Sequence, residues 1–212
     1  MDIASVIDHT NLAPDASAED IRKLCEEAKE FAFASVCVNS SYTELAYSIL
    51  NGCGVKVCSV VGFPLGSCCT ESKVFEASCA ASHGASEIDM VINISWLKDG
   101  LDARVRDEIS SVVKAVPKCI VKVIIETCLL SDEEKIRACL LAREAGAHFV
   151  KTSTGFSKGG ALASDVRLMR KTVGESMGVK ASGGIRDRAA AEEMLNAGAD
   201  RLGTSKSIDI CR

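Results

Sequence analysis

Eight short runs rich in β-branched residues alternate with amphipathic stretches along the 212-residue chain, and this alternation constrains the fold more than any other feature. The strand candidates cover residues 5–8, 35–39, 56–62, 88–93, 120–126, 149–153, 179–182 and 201–204. Helix candidates between them cover 17–31, 41–51, 70–83, 101–115, 131–145, 164–176 and 187–197. Strand, helix and strand in repetition imply parallel strands joined by right-handed crossovers. Eight such units predict a compact α/β chain, a (β/α)8 TIM barrel, built as one domain over residues 1–212 and at the short end of that fold's usual length. The competing arrangement is an open doubly wound sheet. Polar residues recurring at the C-terminal ends of strands all around the chain favour the barrel. Little sequence follows the last strand, so the eighth helix is expected to be short or missing.

Local signals agree with this division. Ser17 with Asp20, and Ser131 with Glu134, read as capping boxes at helix starts. The phrases AGAHFVK and AGADRLG each end a helix in glycine just before a strand.

Composition narrows the function classes. The net charge of -4 and an aromatic content of 4% argue against a general nucleic-acid binder, which needs a basic face and stacking platforms. The 11 cysteines are odd in number and form no C-x-x-C pair, and His9, His83 and His148 are scattered, so no metal site is expected. Cys37, Cys58 and Cys128 lie in apolar segments and read as small core residues in a reducing compartment. The start, MDIASVIDHT, carries acids where a signal peptide needs a basic region. The apolar runs are too short to span a bilayer, so the expected location is the cytoplasm, with no membrane partner.

Two lysines carry most of the chemical information. Lys151 lies in FVKTSTGF and Lys180 in VKASGGIR, each after an apolar run and before small residues. Burying an ammonium disfavours its charged form, and a second cation alongside disfavours it further. A free lysine with a pKa of ~10.4 is less than about 0.1% neutral at pH 7, whereas a pKa of ~7 makes about half of it a nucleophile. The pair therefore predicts Schiff-base chemistry on a carbonyl substrate. Period-two alternation places Asp8 with Thr10, Asp89 with Asn93, and Lys122 with Glu126 on single strand faces. If those faces point inward, the barrel mouth holds three lysines and two or three acids. Each element has a plainer reading: Lys151 snorkelling outward, Asp89 a structural acid. Lys122 either holds Asp8 or Asp89 in place or touches substrate.

Gly155, the pair Gly183 and Gly184, and Gly203 with Ser205 follow the last three strand candidates. One glycine-rich turn is weak evidence, but three in these positions suit a phosphate cradled by backbone N–H groups. Arg186 and Lys206 add positive charge nearby.

These segments resemble the deoxyribose-phosphate aldolases nearly end to end. The similarity includes DHTNL at 8–12, SVCVN at 35–39, VVGFPLG at 60–66, EIDMVIN at 87–93, KVIIETCLL at 122–130, FVKTSTGF at 149–156 and VKASGGIR at 179–186. The resemblance implies a class I aldolase needing no metal or cofactor. It would cleave 2-deoxy-D-ribose 5-phosphate reversibly to glyceraldehyde 3-phosphate and acetaldehyde, in deoxyribose phosphate catabolism. Lys151 would match the Schiff-base lysine, Lys180 the second lysine that perturbs it, and Asp89 the acid that moves protons with a bound water. Asp8 and Thr10 would line the sugar hydroxyls. Gly155, Gly183, Gly184, Gly203 and Ser205 would form the phosphate site. A homodimer is an expectation from the resemblance alone.

The chain departs from the family pattern at Leu162, where a hydroxyl residue is usual, at Lys206 and Ser207 after the last strand, and in lacking a C-terminal tyrosine. Two other readings compete: a Schiff-base barrel enzyme with a different aldehyde donor, and a phosphosugar-binding protein without catalysis.

Overall fold

The structure, a computed structural model, describes residues 2–212. Its eight strands are β1 (Ile7–Asn11), β2 (Ser35–Val38), β3 (Lys56–Val61), β4 (Glu87–Val91), β5 (Ile120–Ile124), β6 (Phe149–Lys151), β7 (Gly178–Ser182) and β8 (Arg201–Thr204). They run parallel in chain order and close into a barrel, with Ile7 of β1 opposite Leu202 of β8. The expected (β/α)8 barrel is therefore the observed fold. The helices are α1 (Ala18–Glu30), α2 (Thr43–Leu50), α3 (Thr70–Ser82), α4 (Ile94–Lys98), α5 (Asp102–Ala115), α6 (Asp132–Glu144), α7 (Ala163–Val173), α8 (Arg188–Asn196) and α9 (Ser207–Cys211).

The caps work as the residues suggest. Ser17 and Ser131 each accept the N–H three residues on, and Asp20 and Glu134 reach back to the cap backbone. Gly146 and Gly198 sit at φ 83° and 108°, left-handed values that glycine adopts without strain. The final helix is one short turn, α9, as expected.

Three of the boundary differences have a clear local cause. The first strand begins at Ile7 instead of residue 5, because Asp2 accepts the Ala4 N–H and caps a 3-10 turn over Ile3–Val6. β4 stops at Val91 because Asn93 accepts the Trp96 N–H and starts α4, an unexpected helix. β5 stops at Ile124, because Glu126 adopts a left-handed φ of 55° and breaks the alternation.

One set of alternate strand residues faces the helices. Val36, Val57, Ile88, Met90, Val121, Val123, Val150, Val179 and Leu202 join Ile21, Leu24, Ile109 and Val166 in the main apolar core. A small apolar group, Leu12, Cys37, Cys58 and Val60 with Phe63, forms separately. The polar strand residues Asp8, Glu87, Asp89, Lys122, Lys151, Lys180 and Arg201 lie on the other face, inside the barrel. A barrel interior is normally filled by branched apolar side chains. Here its centre is ionic.

Candidate active site

The register brings the charges together. Asp89 on β4 lies opposite Lys122 on β5, and Lys151 on β6 lies opposite Lys180 on β7. Asp89 is fully buried and is the hub. Its Oδ1 accepts from Lys122 Nζ at 2.8 Å and from the Cys58 thiol at 3.1 Å. Its Oδ2 accepts from both Lys151 Nζ and Lys180 Nζ, each at 2.7 Å. Lys180 also donates to Asp8, whose other oxygen accepts from Ser35 at 2.7 Å and from Arg201. Arg201 and Lys122 both reach Glu87.

Burial by itself would raise the Asp89 carboxyl, but the ammoniums of Lys122, Lys151 and Lys180 outweigh it and hold it well below the ordinary carboxylate range. Asp8 is also buried and is likewise held down, by Lys180, Lys122 and Arg201. The expectation that the paired lysines depress each other fails for Lys180. Burial and Lys122 push its ammonium down, yet Asp8 and Asp89 pull it above the usual lysine range. The reason is that each lysine meets a carboxylate before it meets the other lysine, a pairing between distant strands that no local sequence pattern displays.

Above this cluster opens a cavity of about 630 Å³. Thr10, Lys151, Gly155, Gly183, Gly184, Gly203 and Ser205 line it, as do Thr154, Phe156, Ser182, Arg186 and Lys206. Of the predicted residues, Asp8, Asp89, Lys122 and Lys180 lie beneath the cavity wall, and Lys151 is the lysine that reaches it. Thr10 donates to the Asp8 carbonyl at 2.8 Å, linking floor and wall. Phe63 meets Phe156 of the cavity lining edge-on at 5.3 Å between ring centres.

The glycine turns fit one another closely. Ala161 N–H donates to the Gly183 carbonyl at 2.9 Å, and a Cβ on Gly160 would fall 2.3 Å from that same oxygen. Gly203 lies against Lys180: a Cβ there would meet Lys180 Cε at 2.9 Å.

Glu126 departs from its expected place with the lysines. Its left-handed backbone turns the buried carboxylate to the Thr154 N–H and hydroxyl, so it orders the loop after β6. Glu87 and Arg201 are cluster members that sequence reasoning passed over. Both begin a strand, two residues before Asp89 and Gly203, and that spacing was the available signal.

Cys37, Cys58 and Asp89 are the group among the described residues whose metal-ligating atoms lie together, within 4.8 Å of one another. Lys122 Nζ stands 3.3 Å from Cys58 Sγ, so an ammonium already takes the place of a cation there. Burial raises the Cys58 thiol well above its usual range, which disfavours the thiolate a metal requires.

A closed (β/α)8 barrel whose cavity is reached by a buried lysine suits an enzyme, and comparison with known proteins gives its class, a lyase. A family model described as DeoC/LacD family aldolase matches residues 3–205. The chain belongs to this family, among the deoxyribose-phosphate aldolases. A deoxyribose-phosphate aldolase from Alkaliphilus oremlandii is 60% identical over 211 residues, covering 99% of this chain and 95% of the relative. One from Natranaerobius thermophilus is 58% identical, covering 99% and 96%. The tetrameric deoxyribose phosphate aldolase from Aeropyrum pernix superposes with a TM-score of 0.93 at 38% identity, covering 99% of this chain and 89% of that one.

Proposed function

We propose that the chain cleaves 2-deoxy-D-ribose 5-phosphate reversibly into glyceraldehyde 3-phosphate and acetaldehyde, through a Schiff base on Lys151. The observation that carries this reading is the position of Lys151: it alone of the three clustered lysines lines the cavity, and its Nζ is tied to Asp89. The charge balance supports it. Lys122, Lys151, Lys180 and Arg201 face Asp8, Glu87 and Asp89, four cations against three carboxylates. Lys151 holds a single carboxylate bond and faces the cavity, so it is the member placed to meet the substrate carbonyl as the nucleophile.

The free amine attacks C1 of the open-chain sugar, and loss of water gives an iminium. Asp89, acting through water, takes the proton of the 3-hydroxyl. The C2–C3 bond then breaks, its electron pair passing into the iminium to leave an enamine, and glyceraldehyde 3-phosphate departs. Protonation of the enamine carbon and hydrolysis release acetaldehyde and restore Lys151. Lys180 keeps its proton beside Asp89 and supports these transfers electrostatically. Asp8 and Lys122 hold Lys180 and Asp89 from below, and Thr10 contributes to the cavity wall near the sugar. Gly155, Gly183, Gly184, Gly203 and Ser205 offer N–H groups to the phosphate, with Arg186 and Lys206 adding charge. The reaction requires no metal or cofactor. Consumption of deoxyribose phosphate in the cytoplasm, by a single-domain protein assembled as an oligomer, completes the reading.

Borohydride reduction in the presence of deoxyribose 5-phosphate, followed by peptide mass mapping, tests it. A substrate-dependent adduct on Lys151 supports the assignment, and an unmodified, folded protein that still binds the phosphosugar overturns it.

A further inference from the structure

Outside the barrel wall, behind β4, Lys73 of α3 and Glu108 of α5 pair at 2.8 Å, and neither side chain has any exposed surface. The proposed chemistry does not use them. A buried ion pair is weak as a source of stability, because apolar residues of similar volume often pack as well or better. What distinguishes this pair is its second set of bonds. Lys73 Nζ donates to the Val91 carbonyl at 2.8 Å, and the Asn93 N–H donates to Glu108 Oε2 at 3.1 Å.

Those backbone groups lie where two strands part. The β3–β4 ladder ends with Val61 opposite Met90. At Gly62 the chain turns away at φ 61°, its N–H taken by Glu76 at 2.8 Å. On the other side of β4, Ile92 N–H still bonds Ile124 of β5. The end of β4 therefore keeps one strand neighbour and loses the other, and helix side chains supply the missing partners. The polarity is matched, an ammonium to a carbonyl and a carboxylate to an N–H. Gly62 leaves room for the lysine stem, since a Cβ there would fall 2.9 Å from Lys73 Cε. The segment so held begins two residues after Asp89.

We infer that Lys73 and Glu108 are positioning residues that fix the end of β4, and through it the reach of Asp89 to Lys151 and Lys180. This rests on the reading of Lys151 and Asp89 given above. A carboxylate that must meet two ammoniums at 2.7 Å tolerates little displacement.

Three double variants test the inference. K73M/E108L keeps the volume and removes both backbone bonds. K73E/E108K keeps opposite charges but reverses their polarity toward Val91 and Asn93. K73Q/E108Q is neutral yet retains a donor for Val91 and an acceptor for Asn93. Steady-state kinetics with deoxyribose 5-phosphate are normalised to folded protein by borohydride trapping at Lys151. The first two should lose about tenfold to a hundredfold in kcat with KM changed less than about threefold, and the glutamine pair should recover most of that loss. Equal kcat per trappable site in all three and the wild type would overturn the inference. So would a loss in K73M/E108L that the glutamine pair fails to recover. Absence of a Lys151 adduct in the wild type is a separate result, which removes the underlying reading and this inference with it.

Discussion

Lys151 and Lys180 face each other across the β6–β7 ladder, and both ammoniums bond the same oxygen of Asp89. Lys180→Met leaves Asp89 with fewer positive neighbours, so its carboxyl moves up from its depressed position and the acid limb of the kcat profile shifts to higher pH. Turnover should fall at least about a hundredfold while substrate-dependent trapping at Lys151 persists. Lys151→Ala should abolish turnover and trapping alike with the circular dichroism of the wild type. Trapping that survives in Lys151→Ala would move the nucleophile elsewhere.

Stability should depend on pH at both ends of the scale. Asp8 and Asp89 are depressed in the folded state, so their contribution is complete above the unfolded value of ~3.9 and is lost as pH falls below it. Lys122 and Lys180 are raised, so theirs is complete below the unfolded value of ~10.4 and is lost as pH rises from there through the folded one. These are two views of the same ion pairs. Asp8→Asn should cost about 3–5 kcal/mol at neutral pH, because it takes a buried carboxylate from Lys180, Arg201 and Lys122, and should flatten the acid slope. Urea titrations from pH 2 to 12 read both effects; an acid slope as steep as wild type in Asp8→Asn would contradict the account.

Gly203 ties the loop after β8 to Lys180. A methyl group there meets Lys180 Cε at 2.9 Å and Ser182 Cβ at 3.0 Å, so Gly203→Ala must displace the lysine. A kcat lowered about tenfold, beyond any change in KM, is expected from a shift of this kind. If only KM rises, the glycine serves the phosphate and not Lys180.

Gly160→Ala acts on the other side of the cavity. Its methyl would fall 2.3 Å from the Gly183 carbonyl oxygen, backbone against backbone, so the two glycine loops must separate. KM for deoxyribose 5-phosphate should rise about tenfold, while trapping with acetaldehyde, which has no phosphate, stays near wild type. Equal impairment with both would show that the damage reaches Lys151.

The barrel was legible in the sequence because period-two and period-3.6 patterns are local, and Ser17, Ser131, Gly146 and Gly198 mark helix ends by chemistry that needs no distant partner. Lys151, Lys180 and Asp89 could be singled out because charge inside an apolar strand needs a reason. Their protonation was misjudged for Lys180, since that depends on Asp8, which lies 172 positions away in the chain. Lys73 and Glu108 carry no sequence signal of burial, because nothing within α3 or α5 reveals that β3 turns away at Gly62 and leaves β4 short of a neighbour. Glu126 continued the alternation on paper, and only its left-handed backbone turned it to Thr154.

Barrel closure has a consequence for how the protein comes to exist. Asp8, near the start of the chain, is satisfied by Lys180 and by Arg201 in the last strand. A chain emerging from the ribosome holds that acid without these two partners until β7 and β8 have been made. A fragment that has lost β8 lacks one wall of the cavity, and its Asp8 keeps Lys180 and Ser35 but loses Arg201.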